Sequence, residues 1–153
     1  MWLAAHAPGN SAPLFTVRAP LYQLTAEAVA LVKRPSDGVG MHLYVVCLGD
    51  PEGEAALAYV GKSADPWARW NGGHLRNLRA AAKGAKRSSY ASWVRLFESA
   101  DKTIHLVCVG ESRIEFSPIP RFPKTVGSVE YQLVSLAYDC FPEYLLNREG
   151  VAR

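Results

Sequence analysis

Two short apolar runs, LYVVCL at 43–48 and IHLVCV at 104–109, constrain this chain more than any other feature. Each is long enough for a buried strand and far too short to cross a bilayer. The turn-forming GDPEG at 49–53 follows the first run, and a second strand-like segment occupies 56–61. Residues 42–61 therefore read as a β-hairpin, with 103–109 as a third strand.

The remaining elements arrange themselves around these strands. Pro66 suits the first position of a helix, with Ser63 or Asp65 as its cap. Gly72-Gly73 is expected to interrupt or bend that helix. It resumes at His74 with Leu75, Leu78 and Ala82 on one face and Arg76, Arg79 and Lys83 on another. Residues 89–100 predict a helix carrying Trp93, Leu96 and Phe97. The three prolines of 117–124 predict a loop. Ser128 is placed to cap a further helix whose buried stripe is Val129, Leu133 and Leu136, leaving Glu130 off the stripe. A short final helix is expected in 141–153. Before the hairpin, residues 1 to about 20 read as an irregular arm with one extended piece at 14–17, and 25–33 as a helix capped by Thr25. The expectation is an α/β domain at 41–153, with a small three-stranded antiparallel central sheet flanked by helices, after an N-terminal extension at 1–40. A chain of 153 residues has material for one such core.

Cys47, Cys108 and Cys140 show no paired metal-ligand spacing, and the first two lie inside apolar strands, so they read as core. No basic segment opens the N-terminus, so no secretory signal is expected, and a cytoplasmic, membrane-free protein is the default. The net charge of +3 is modest, but its placement is uneven. From Lys62 to Arg95 stand eight basic residues against Asp65 alone. One face should be positive enough to suit a polyanion.

Chemistry concentrates at the strand-to-helix crossing YVGKSADPWARWNGGH, 59–74. Tyr44 shares a strand face with Val46, and Tyr59 is expected to share one with Leu57, which lets the two tyrosines approach across the hairpin. Gly61 allows a close backbone approach. Lys62 follows at once, and Arg69 falls in the first turns of the next helix. HLY at 42–44 and YVG at 59–61, followed by Arg69, His74, Glu130 in GSVEYQLVSLAY and Asn147 in YLLNREG, resemble the GIY-YIG nuclease superfamily. The resemblance runs from about His42 to Arg148. His42 and Leu43 stand where the family prefers Gly and Ile, and the hairpin connection and the Gly-Gly before His74 also depart from its pattern.

The resemblance implies a metal-dependent endonuclease that hydrolyses DNA phosphodiester bonds, with double-stranded DNA as partner. It assigns the site to Tyr44, Tyr59, Lys62, Arg69, His74, Glu130 and Asn147, with Glu130 as ligand to Mg²⁺ (Mn²⁺ as alternative) and Asn147 as support. A hard cation on one carboxylate, completed by phosphate and water, neutralises charge at phosphorus. The Arg69 guanidinium is a planar fork matched to phosphate oxygens. Tyr59 or Tyr44 would orient or deprotonate water, helped by cationic Lys62 or Arg69, since a free phenol near pKa 10 is a poor base at neutral pH. Arg76, Arg79, Lys83, Lys86 and Arg87 would contact flanking phosphates without reading sequence. Trp67, Trp70 and Trp93 are expected mainly in the core, with one free to stack on a base. Glu111 and Glu115 are rival metal ligands, and His6 and His105 have no assigned role. A nucleic-acid-binding module of the same fold without catalysis is the alternative, and self-dimerisation is left open.

Overall fold

The computed structural model describes residues 1–15, 40–84, 90–100 and 102–147. Thr16 and Val17, the expected helix at 25–33, and Lys86 and Arg87 lie outside the described residues. The apolar runs form the two middle strands of an antiparallel sheet. These are β2 (His42–Leu48), every residue of which is buried, and β4 (Ile104–Gly110). β3 (Ala56–Ser63) returns beside β2 as the hairpin partner. Among the described residues there is a fourth strand, β1 (Ser11–Phe15), which pairs with β4, so the order is β1-β4-β2-β3.

The fourth strand corrects the reading of the first residues as an irregular arm. They open with helix α1 (Trp2–His6), whose Trp2 and Leu3 enter the core, and then pass into β1. The physical reason is β4: a buried strand with one free edge leaves peptide groups unpaired, and β1 satisfies them.

Each face of the sheet carries its own apolar layer. Leu43, Val45, Cys47, Val60, Val107 and Val109 pack against α1 and against α5 (Val126–Cys140). Tyr44, Val46, Leu48, Ile104 and Leu106 pack against a helical segment running from Pro66 to Ala82 and against α4 (Ala91–Ser99). Cys47 and Cys108 are buried, as expected of core thiols, and Cys140 is exposed.

α5 starts earlier than Ser128. Its buried stripe is Val126, Val129, Leu133, Val134 and Ala137, while Leu136 is exposed. Starting at Val126 centres the stripe between Leu133 and Val134, so position 137 completes it. The cap comes from elsewhere: the backbone N–H of Val126 donates to Glu111 Oε2 at 2.8 Å. Glu111 lies in the 3₁₀ turn after β4 (Glu111–Arg113), and its carboxylate meets the positive end of the α5 dipole. The loop at 117–124 is irregular, as its prolines require, and is tied to α5 by the buried Gln132. That amide accepts from Ile119 N at 2.9 Å and donates to the Pro123 carbonyl at 2.8 Å.

The tail forms no helix over 141–147; it makes a turn and is then hydrogen-bonded to β3. Leu146 N–H donates to the Ala58 carbonyl at 2.6 Å. The Asn147 amide closes a two-bond ring with Val60, accepting from its N–H at 2.9 Å and donating to its carbonyl at 2.7 Å. A side-chain amide thereby takes the place of a neighbouring peptide on the outermost strand. No helix among the described residues is long and apolar enough to cross a membrane.

The Glu111 cap predicts that Glu111→Ala lowers stability by about 1 kcal/mol, the usual cost of a lost helix cap. Urea denaturation is the check, and an unchanged midpoint would assign α5 its start by packing alone.

Candidate active site

Regular alternation would put Leu57 and Tyr59 on one face, but the hairpin register shifts between Val46 and Cys47. Val46 pairs with Tyr59 and Cys47 with Leu57, leaving Ala58 as the extra residue of a β-bulge. Tyr59 turns to the face of Tyr44, while Leu57 packs with the opposite layer. A bulge re-aims a side chain in this way without ending the strand. The two phenol rings stand 6.1 Å apart between centroids, tilted by 31° to each other.

Tyr44 lies across the ladder from Gly61, and its ring occupies the space above that glycine. A Cβ at position 61 would fall on the Tyr44 ring and hydroxyl, so the glycine of YVG is required by the tyrosine of the partner strand.

The helix after β3 supplies the next two groups. Asp65 caps it by accepting from Ala68 N at 3.1 Å, Pro66 opens it, and Ser63 Oγ accepts from Asp65 N at 3.0 Å. After the short α2 (Pro66–Ala68) the coil widens into a π-helical segment, Arg69–Leu75, before α3 (Arg76–Ala82) resumes normal winding. Gly72-Gly73 sits inside this segment and neither interrupts nor ends the helix. In an α-helix, residues five apart point about 140° away from each other, whereas the wider turn brings them closer to one side. His74, five residues after Arg69, thus reaches Tyr44, on which the Arg69 charge also acts. Neither glycine is forced by crowding, since a Cβ at Gly72 meets nothing within 4 Å and one at Gly73 only Arg69 Cδ at 4.0 Å. Their contribution is a weak α-helical preference where the winding must change.

His74 is 3% exposed. One ring nitrogen, Nε2, is 2.7 Å from the Tyr44 hydroxyl, and the other, Nδ1, is 2.7 Å from the hydroxyl of Tyr90. Trp93 stacks on the imidazole at 5.2 Å and Tyr59 meets it edge-on at 5.2 Å. Burial, and then the Arg69 charge, lower its pKa to about 4, so the ring is neutral at pH 7. Arg69 is exposed, and its positive charge favours ionisation of both Tyr44 and Tyr59. Burial raises the pKa of both Tyr44 and Tyr59, and the Arg69 charge only partly offsets it. Both phenols are therefore neutral in the resting protein.

Glu130 and Lys62 approach from the other side of the sheet. Lys62 pairs with Leu43, on the α5 face, and its ammonium lies over Gly127, where a Cβ would be 3.6 Å from Nζ. Glu130, half-buried and one turn further along α5, adds a charge that opposes ionisation of Tyr59. Because β3 is the outermost strand, a carboxylate from α5 can act around its edge on a phenol of the opposite face. Tyr44 is hydrogen-bonded to His74, Tyr59 packs beside both rings, the charges of Arg69 and Glu130 act on this group, and Lys62 lies over α5. Asn147 touches backbone alone and anchors the strand that carries Tyr59.

Arg76 and Lys83 are exposed on the helix surface, and Arg79 is half-buried. Trp70 and Trp93 are core residues, at 2% and 6% exposure, which leaves neither free to stack on a base. Glu111, a rival metal ligand by sequence, is the α5 cap. His6, without an assigned role, is structural: Nδ1–H donates to the Trp2 carbonyl at 2.8 Å and Nε2 accepts from Glu115 N at 3.0 Å. Tyr90 is the residue that sequence reasoning missed. Its one available signal is position, because it occupies the N-cap of α4 yet makes no capping bond, where Ser, Thr, Asp or Asn is the usual choice.

No group of three or more His, Cys, Asp or Glu side chains suited to a metal occurs among the described residues. Glu130 as a single carboxylate fits a hard, mostly hydrated dication better than zinc, which takes three or four protein ligands.

The depressed His74 pKa has a consequence for stability. In the unfolded chain the ring binds a proton near pH 6.5, whereas in the folded protein it resists doing so down to about 4. Between these values the unfolded state holds more protons, so stability rises with pH through the window and levels off above it. We expect His74→Gln to show a shallower loss than wild type on acidification from 6.5 to 4, by about 3 kcal/mol at full effect. Parallel denaturation profiles of the two proteins over that range would contradict the assignment.

No model of a protein family, no curated protein and no solved structure matches this chain.

Proposed function

We propose that the protein is a metal-dependent endonuclease of GIY-YIG type that hydrolyses DNA phosphodiester bonds. The observation that carries this reading is the convergence of Tyr44, Tyr59 and His74 in one packed group, with Tyr44 hydrogen-bonded to His74 and the charges of Arg69 and Glu130 acting on the phenols.

Each group has a task in such a reaction. Arg69 is exposed and offers donors to a non-bridging phosphate oxygen. Tyr59, half-buried, presents a hydroxyl at the margin of the site and orients the attacking water. The Tyr44 and neutral His74 rings pack beside the Tyr59 ring and hold its position. Glu130 would hold Mg²⁺ or Mn²⁺, which when bound supplies Lewis-acid stabilisation of charge at phosphorus and at the leaving oxygen. Exposed Arg76 and Lys83, with Arg79, lie along the helix that carries Arg69 and would hold flanking phosphates.

Supercoiled plasmid incubated with the protein and Mg²⁺ should be nicked or cut, and chelation should stop the reaction. Arg69→Ala or Glu130→Ala should each lower the rate by at least about a hundredfold with the fold intact. Wild-type rates in both variants would remove these residues from the site. DNA binding with steep salt dependence and no cleavage under either metal would favour a binding module instead.

Arg76→Ala and Lys83→Ala should each weaken binding equally across DNA sequences and reduce the slope of log affinity against log salt by about 1. A sequence-dependent effect in a fluorescence-anisotropy titration would assign them to base contacts.

A further inference from the structure

The loop between β4 and α5 carries more structure than a connection needs. Its three prolines fix φ at positions 118, 120 and 123. Within it the Phe122 N–H donates to the Ile119 carbonyl at 3.2 Å, closing a turn over Pro120 and Arg121. Ser117 Oγ donates to the same carbonyl at 2.6 Å. The buried Gln132 side chain holds both flanks of the turn, through Ile119 N and the Pro123 carbonyl, and donates also to Ser128 Oγ at 2.9 Å. The turn thus stands as a braced projection at the start of α5.

Its apex holds two side chains that face solvent. Arg121 has φ 72°, and among the described residues it is the one non-glycine with left-handed backbone. Proline at the second position and positive φ at the third mark a type II turn, whose third position ordinarily takes Gly or Asn. Arginine there carries strain, and its side chain is exposed. Phe122 follows at 53% exposure, whereas the ring of Phe116, also exposed, lies 5.0 Å from that of His6. No acidic residue occurs from Phe116 to Val129, and exposed Lys124 stands two positions after the ring. Lys124 and Thr125 line one cavity with Met41 and His42, so the loop meets the sheet where β2 begins, two residues before Tyr44. At the same end Lys62 lies over Gly127.

We propose that Arg121 and Phe122 form a DNA-contacting projection beside the candidate site, and that it selects DNA whose base stack is already open, at a gap or a flap. The inference takes its partner, DNA, from the nuclease reading and names the substrate class for it. Arg121 and Lys124 hold phosphates on either side of the ring, and the exposed phenyl face covers an unstacked base. Trp70 and Trp93 are buried, so the stacking role falls to Phe122. Magnitude decides which DNA is chosen. One ring on one base gains no more than unstacking an intact base-pair step costs, so a regular duplex leaves Phe122 in solvent. In DNA already parted that cost is absent. The prolines and Gln132 fix the ring before binding, which keeps the cost of ordering it small.

Fluorescence anisotropy with the full chain in EDTA, on an intact duplex, a gapped duplex and a flap of the same sequence, tests the projection. The wild type should bind gapped and flap DNA at least about fivefold more tightly than intact duplex. Phe122→Ala should lose that preference, bind intact duplex as the wild type does, and keep the wild-type melting temperature. Arg121→Gly should weaken binding to all three probes without lowering the melting temperature, because glycine accepts left-handed backbone. Equal wild-type affinity for the three probes, or a preference that survives in Phe122→Ala, would overturn the projection, and cleavage of plasmid by the same protein would leave the nuclease reading standing. The predicted preference without cleavage under either metal would keep the projection as part of a binding module and end the nuclease reading. Self-association of the wild type that Phe122→Ala abolishes, with no preference among the probes, would overturn the DNA contact and assign the apex to a second copy of the chain.

Discussion

The contact of Tyr44 with Gly61 governs the arrangement around it. A full-size phenol can lie flat within a two-strand ladder because its cross-strand neighbour has no side chain. That places a hydroxyl at the buried junction of the hairpin and the following helix. A buried hydroxyl needs partners, and unpaired burial costs about 1–3 kcal/mol. His74 answers that need, at 2.7 Å. The chemistry proposed for the protein is thus inseparable from the hydrogen bonding that makes the core acceptable.

Two departures from regular geometry serve the same centre. The bulge at Ala58 turns Tyr59 onto the face of Tyr44, and the π-helical winding from Arg69 to Leu75 brings Arg69 and His74 to one side. Each gives up some regular hydrogen bonding, and each is held in place by a neighbour. The bulge is held by the tail, where Leu146 and Asn147 occupy the free peptide groups of β3. The π turn is held by the buried Trp70 and Leu75. Irregular backbone at this point concentrates polar side chains where a uniform hairpin and helix would disperse them.

The sheet edge has a corresponding use. Because β3 is outermost, groups from both faces can approach the same region of solvent. Tyr59 and Arg69 approach on one side, and Glu130 from α5 on the other. An interior strand would have separated them by a full layer of side chains. The cap that Glu111 places on α5 sets the start of the helix and hence the position of Glu130 along it.

Much was legible in the order of residues. The strands at 42–48, 56–61 and 104–109 follow from apolar runs and turn residues, and the helix opening at Pro66 from its cap and its proline, because these signals act over a few neighbouring positions. Motif order also singled out Tyr44, Tyr59 and His74, which the fold packs together. What the tertiary structure alone decided concerns orientation and long-range pairing. The bulge that sets the face of Tyr59, the π turn, the docking of residues 1–15 as helix and strand, the tail bonded to β3, and Tyr90 on His74 all depend on partners distant in sequence. Local propensity cannot encode such a choice, since it is made by whichever buried peptide or hydroxyl group would otherwise lack a partner.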